Sequence, residues 1–233
     1  MINEIEIKFR VASNEALDSL EKRAHELFPG SQVKEVLQTN FFFDTPDLSV
    51  RKNGIGFRLR KEDEAYIITM KGPNPDKKQS SAPKLTSRLE FEAIIAKEDA
   101  IALLDGQTEP AKFVENIQLS DLKMKNTRDH LLSLLGKTCP QGNFAIIGHF
   151  TNCRRVLPIV IGECPMKLEF DRTQFPNSIT QYEVELEIPS MEFSEKAEAF
   201  LVDLFYQCGQ TPAFERSKSE RFYSLLAPPF RVT

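Results

Sequence analysis

Near the start of the chain the stretch Glu4-Ile5-Glu6-Ile7-Lys8-Phe9-Arg10-Val11 alternates charged and apolar side chains without a break. Successive side chains of a β-strand point to opposite faces, so Glu4, Glu6, Lys8 and Arg10 share one face and Ile5, Ile7, Phe9 and Val11 the other. Alone, such a strand reads as half core and half solvent. The pattern returns, however, along the chain. Arg58 and Arg60 alternate with Phe57 and Leu59; Arg88, Glu90 and Glu92 with Leu89, Phe91 and Ala93; Lys167, Glu169 and Asp171 with Leu168 and Phe170; Glu183, Glu185 and Glu187 with Val184, Leu186 and Ile188. Charge of both signs repeated on one face of many strands implies one shared surface.

Between these strands the spacing predicts a helix from Ser13 to about Phe28, a strand over 33–44 ending in the aromatic run Phe41-Phe42-Phe43, and a turn at Asp44-Thr45-Pro46-Asp47. The Phe run is read as core. A hairpin over 57–71 with its tip at Glu62-Asp63-Glu64 follows, then a polar, proline-containing loop at 73–84 and a strand from Arg88 to Ile95. Residues 97–137 turn helical and read as an insertion packed outside a sheet. Strands are predicted at 144–157, about 159–173 and 179–188, a helix at about 194–208, and a short helix at the end.

Many antiparallel strands joined by short turns point to a closed barrel. The apolar stripes of the helices need a partner, and the apolar face of the sheet is the natural one, which turns the charged face inward. The fold expected is therefore α+β: a closed, eight-stranded antiparallel β-barrel with a charged interior and helices packed outside, all 233 residues forming one domain. Desolvating so many ions costs several kcal/mol each, so the lumen is expected to be wet and to hold compensating ions. Lys and Arg offer donors to phosphate oxygens, and clustered carboxylates suit Mg²⁺ or Mn²⁺.

Composition removes several rivals. A net charge of -4 gives no global basic excess for nucleic acid or an acidic membrane surface. Cys139, Cys153, Cys164 and Cys208 lack CxxC spacing and the histidines do not cluster with them, which argues against a zinc site or a Cys-His pair and for thiols in a reducing compartment. No stretch approaches the length that spans a bilayer, and the expected location is the cytoplasm. No P-loop, Rossmann glycine turn or Ser-His-Asp order is present.

These residues together resemble the CYTH, or triphosphate tunnel metalloenzyme, superfamily. Glu4-Ile5-Glu6-Ile7-Lys8 resembles its ExExK strand, Phe42-Phe43-Asp44-Thr45 its YFDT segment, and Gly56-Phe57-Arg58-Leu59-Arg60 its paired-arginine strand. Thr69-Met70-Lys71-Gly72, Arg88-Leu89-Glu90-Phe91-Glu92, Asn152-Cys153-Arg154, Lys167-Leu168-Glu169-Phe170-Asp171, Glu183-Val184-Glu185-Leu186-Glu187 and Ser217-Lys218-Ser219 follow in family order. The resemblance implies that Glu4, Glu6, Asp171, Glu183, Glu185 and Glu187 hold metal, and that Lys8, Arg58, Arg60, Lys71, Arg154 and Lys218 clamp phosphate, with Arg88 and Lys167 as further substrate contacts. Arg154 is preferred over its neighbour Arg155 for its spacing from Asn152, and Glu185 is the first choice in its trio.

The activity implied is metal-dependent hydrolysis of a small-molecule triphosphate by a monomer or homodimer, with Mg²⁺ or Mn²⁺ as cofactor and no nucleic-acid or membrane partner. Inorganic triphosphate fits best, because the charged positions account for the whole ligand. Relatives specific for thiamine triphosphate carry Trp near the position of Gly56, and this chain has no Trp. A class IV adenylate cyclase making cyclic AMP from ATP is the rival reaction; a polyphosphate-binding module without turnover is the rival outside enzymology.

Overall fold

A computed structural model describes residues 3–74 and 85–226. Its strands are β1 (Asn3–Val11), β2 (Lys34–Asp44), β3 (Gly56–Glu62), β4 (Ala65–Gly72), β5 (Leu85–Ile95), β6 (Ala145–Ile161), β7 (Cys164–Phe175), β8 (Ile179–Glu187) and the two-residue β9 (Ala213–Phe214). Hydrogen bonding runs in the order β5-β4-β3-β2-β6-β7-β8-β1, and β1 pairs back onto β5, which closes an antiparallel eight-stranded barrel; β9 adds to β1. Part of the loop expected at 73–84 lies outside the described residues.

Helices cover the outer face in two groups. The helices α1 (Asn14–Leu27) and α6 (Ser194–Gln207) bury Leu17, Leu20, Ala197, Leu201 and Phe205 on Ile5, Ile7 and Phe9 of β1, Phe170 of β7 and Val184 of β8. Ser13 caps α1, its hydroxyl accepting from the Ala16 amide at 3.2 Å, as its position before the apolar stripe predicts. The segment expected to be a helical insertion forms α3 (Lys97–Leu104), α4 (Pro110–Glu115) and α5 (Leu122–Thr138), which bury Leu103, Val114, Leu131 and Leu135 on Phe57, Leu59, Met70 and Phe91. A single turn, α2 (Ser49–Lys52), precedes β3, and α7 (Lys218–Leu225) ends the described chain.

Three local features differ from expectation. The strand break placed at Pro158 is instead at Gly162-Glu163, whose φ values of +55° and +71° suit a two-residue type I′ turn. Pro158 is tolerated inside β6 because β2 has already ended opposite Val156, so no partner on that side needs its missing N–H. The short elements α2, α4 and β9 carry too little periodicity to announce themselves. Third, β6 bulges: Phe42 pairs with Gly148 but Phe43 with Ile146. Gly148 has φ +149°, and a Cβ there would sit 3.0 Å from the Phe222 ring, so glycine is what lets α7 close against the barrel.

The Phe run splits by strand parity: Phe42 and Phe43 are buried, as read from the sequence, while Phe41 is only partly covered. Phe43 faces outward into the cluster with Phe57, their ring centroids 5.5 Å apart; Phe42 faces inward and stacks on Phe222 of α7 at 4.7 Å. Phe150 and Phe175 complete an aromatic layer under α7.

Candidate functional site: a charged barrel lumen

Inside the barrel lies a cavity of about 730 Å³ lined by Glu4, Glu6 and Lys8 of β1, Arg58 and Arg60 of β3, Lys71 of β4, Arg88, Glu90 and Glu92 of β5, Arg154 of β6, Glu169 of β7, Glu185 of β8 and Lys218 of α7. Strand parity explains all of the set but Lys218, which α7 brings in: every strand residue occupies an inward position, with the apolar neighbours outside. Because acids and bases face each other across strand pairs, they neutralise one another directly, so the compensation expected from bound ions is already supplied by side chains.

Three knots of charge can be distinguished. On the β1–β4–β5 wall, Lys71 bridges Glu4 and Glu90, the latter at 3.0 Å. On the β3–β5 wall, Arg58 and Arg60 share Glu92 Oε1 at 3.5 and 3.3 Å, and Thr69 Oγ1 donates to the same oxygen at 2.9 Å. The floor is the third. Lys8 Nζ lies 2.6 Å from Glu6 and 2.9 Å from Glu185, while Arg154 binds Glu169, Asp171 (2.6 Å) and Glu185 (2.7 Å) at once. Lys218 adds contacts to Asp171 at 2.6 Å, Glu185 at 3.0 Å and Glu183.

Burial and crowding set the protonation of this floor. Burial by itself would raise Glu6, yet Lys8 and Lys71 beside it bring it down to about 2. Burial also lifts Glu169 to about 8 and Glu90 to about 7, because each shares its cation with other carboxylates. Asp171 is held well below the usual carboxylate range: burial is overcome by Arg154 and Lys218. Lys218 falls to about 7 through burial, with Arg154 and Lys8 close by, although Asp171 pulls the other way.

The residues singled out in the sequence are not all equivalent. Glu4, Glu6, Lys8, Arg58, Arg60, Lys71, Arg88, Arg154, Lys167, Glu185, Glu187 and Lys218 line the cavity. Lys167 and Glu187 sit at its rim, 3.0 Å apart and 59% and 47% exposed. Arg88 is tied to the Gly54 carbonyl at 2.7 Å. Asp171 and Glu183 do not line the cavity; they are buried behind Arg154 and Lys218, with Glu183 also held by Arg221. Arg155 points outward to Asp18 and Glu21 of α1, both at 2.9 Å, so strand parity separates it from Arg154.

Sequence reasoning put Glu169, Glu90 and Glu92 on the charged face without giving them a role in the site, and passed over Arg221, whose place on the last helix gives no strand parity to read. Among the described residues, Glu169, Asp171 and Glu185 offer oxygens within 4.8 Å of one another. Such an all-carboxylate set fits a hard divalent cation.

The sequence matches the CYTH domain family over residues 3–223. No curated protein sequence matches it. The fold is similar to HpAC1 from Hippeastrum, described as a candidate adenylyl cyclase with a dominant triphosphatase activity, with a TM-score of 0.71 and 23% identity over 97% of this chain and 98% of that one. It is similar also to a candidate adenylate cyclase from Bacillus halodurans, with a TM-score of 0.60 and 22% identity over 96% and 100%. Among the described residues no helix is long and apolar enough to cross a membrane. A match across almost the whole sequence, together with the closed barrel and its ionic lumen, places this chain in the CYTH family.

Proposed function

We propose that the chain hydrolyses a triphosphate inside its barrel with the help of Mg²⁺ or Mn²⁺, and that inorganic triphosphate is the preferred substrate. The observation that carries this reading is the pairing itself: Lys8, Arg58, Arg60, Lys71, Arg154 and Lys218 are each engaged by a carboxylate, at distances such as 2.9 Å for Lys8–Glu185 and 2.7 Å for Arg154–Glu185. A phosphate chain competes for the bases and offers them a better-matched partner, since guanidinium forks bind phosphate bidentately. Lys8, Arg58, Arg60, Lys71, Arg154 and Lys218 then turn to phosphate oxygens, with Arg88 and Lys167 nearer the surface.

The exchange frees carboxylates. Glu4 and Glu6, with Glu169, Asp171 and Glu185, are the residues that would hold a divalent cation; when bound, it neutralises phosphate charge and activates water. Glu183, engaged by Arg221 and Lys218, anchors bases rather than metal, and Glu187 serves the rim. The bases themselves fix the phosphate chain in line and stabilise negative charge on the departing oxygen. All 233 residues act as one domain, with α3–α5 as an outer cover.

One observation favours a second reading. Val156, Pro158, Pro165 and Pro189 give the cavity an apolar flank beside Lys167 and Glu187. An organic tail, such as the base of ATP or the rings of thiamine triphosphate, would rest there, and ATP so held could be cyclised instead of hydrolysed. Phosphate release from inorganic triphosphate, thiamine triphosphate and ATP, measured in parallel with Mg²⁺ or Mn²⁺ while cyclic AMP is monitored, separates the readings. Fastest release from inorganic triphosphate supports the first; dominant cyclic AMP supports cyclisation; a rise in melting temperature with triphosphate but no product means a binding module.

A further inference from the structure

Lys218 is the lumen base supplied by α7 rather than by the barrel, so its position depends on how α7 is held. Two side-chain ties reach the barrel from the other end of that helix. Arg221 engages Glu183 and donates to Gln181 Oε1 at 2.7 Å, both on β8. On the opposite side Tyr223 donates its hydroxyl to Asp44 Oδ2 at 3.0 Å. Asp44 is wholly buried and ends β2; its other contacts accept the amides of Thr45 (2.8 Å), Val50 (2.9 Å) and Arg51 (3.1 Å), so it also fixes the start of α2. Glu220 of α7 meets Arg51 from α2 at 3.4 Å, and Arg51 lies over the Tyr223 ring at 5.6 Å.

We propose that Asp44 and Tyr223 form a latch that positions Lys218 against Asp171, Glu183 and Glu185, so that both are positioning residues for the lumen. Neither touches the cavity. Asp44 is rigid because three backbone amides hold it, and the phenol is its only side-chain contact to α7. Without that bond α7 keeps its aromatic packing through Phe222, stacked on Phe42 at 4.7 Å, and its Arg221 tie to β8, but loses the buried tie to β2 that opposes rotation about that packing. Displacements of about 1 Å at a reacting group cost up to roughly 10²-fold in rate. The reading of Lys218 as a phosphate clamp rests on the function proposed above; the latch itself does not.

Tyr223→Phe removes the hydroxyl and little else. Two measurements test the latch, with Leu20→Ala on the remote α1 as a control for general loss of stability. The first is a double-mutant cycle with Lys218→Met on triphosphate hydrolysis. Tyr223→Phe is expected to lower kcat/KM about tenfold alone and to have almost no effect in the Lys218→Met background. An equal loss in both backgrounds, or no loss in either, would overturn the proposal. The second reads the lysine without substrate: acetylation of Lys218 by acetic anhydride, followed by peptide mass spectrometry. Labelling is expected to be several-fold faster in Tyr223→Phe than in the unchanged chain, with Leu20→Ala unaltered. Identical labelling in all three ends the latch. If the unchanged chain neither hydrolyses nor binds triphosphate, the proposed function fails, and the acetylation result still decides the latch.

Discussion

Lys8 and Glu185 stand directly opposite each other on β1 and β8, the ammonium 2.9 Å from the carboxylate, and both side chains are buried. Glu6 leans on the same ammonium, at 2.6 Å. Removing the cation therefore leaves Glu6 without its ammonium in a low-dielectric floor, while Glu185 keeps Arg154 and Lys218. Lys8→Met is expected to cost about 3–5 kcal/mol, as breaking a buried ion pair does, and adding Glu6→Leu should recover part of that loss. Urea unfolding of the single and double variants measures it; a single variant within about 1 kcal/mol of the unchanged chain would mean the pair is solvated.

Adjacent arginines give the sharpest contrast. Arg154 binds three carboxylates of the floor, and Arg155 binds two on α1. Arg154→Ala is expected to lower triphosphate turnover by about 10²–10³-fold, the usual cost of losing a charge-stabilising donor. Arg155→Ala should leave turnover within about twofold and cost no more than about 1 kcal/mol, the worth of a surface pair. Steady-state kinetics on the two variants would refute the lumen assignment if their effects were reversed.

Alkaline unfolding should report Tyr223. Burial, then the neighbouring Asp44, raises its phenol well above the ordinary value of 10.0. The folded chain keeps that proton where the unfolded chain loses it, so the stabilisation is complete below the unfolded pKa and is lost as pH rises from there toward the folded pKa. Tyr223→Phe should be the less stable chain at about pH 8, with the gap narrowing by about pH 11. Denaturant midpoints across this range test it; a gap that widens with pH would contradict the buried phenol.

Chelation separates binding from turnover. Removing divalent cations should abolish phosphate release, while triphosphate still raises the melting temperature because the bases remain. At about 100 times its Kd a ligand adds about 2.7 kcal/mol of stability, which thermal melts detect easily. Full turnover in chelator would count against any metal role for the carboxylates.

Much of this architecture could be read in advance because strand parity is strict. Once Ile5, Ile7 and Phe9 needed helices over them, Glu4, Glu6 and Lys8 had to face inward, and the same logic separated Arg154 from Arg155. Parity says nothing about depth, however. Glu183 and Glu187 share a face with Glu185, yet one lies buried behind Lys218 and the other at the rim, a difference set by where α7 packs. Nor could it show that Asp44 is a cap and a latch, since Val50 and Arg51 lie on the one-turn α2 and Tyr223 on the distant α7. Pro158 misled for a related reason: whether a proline ends a strand depends on whether the neighbouring strand still runs beside it.

The central claim is that the ionic lumen turns over a triphosphate through its carboxylates and bases together. Its most direct test is release of phosphate from inorganic triphosphate by the unchanged chain and by Glu185→Gln, each with Mg²⁺ or Mn²⁺ and each checked for an intact fold by circular dichroism. The account predicts metal-dependent release by the unchanged chain and a loss of at least about 10²-fold in the variant. Equal release by both folded proteins, or none by the unchanged chain under any metal, would contradict it.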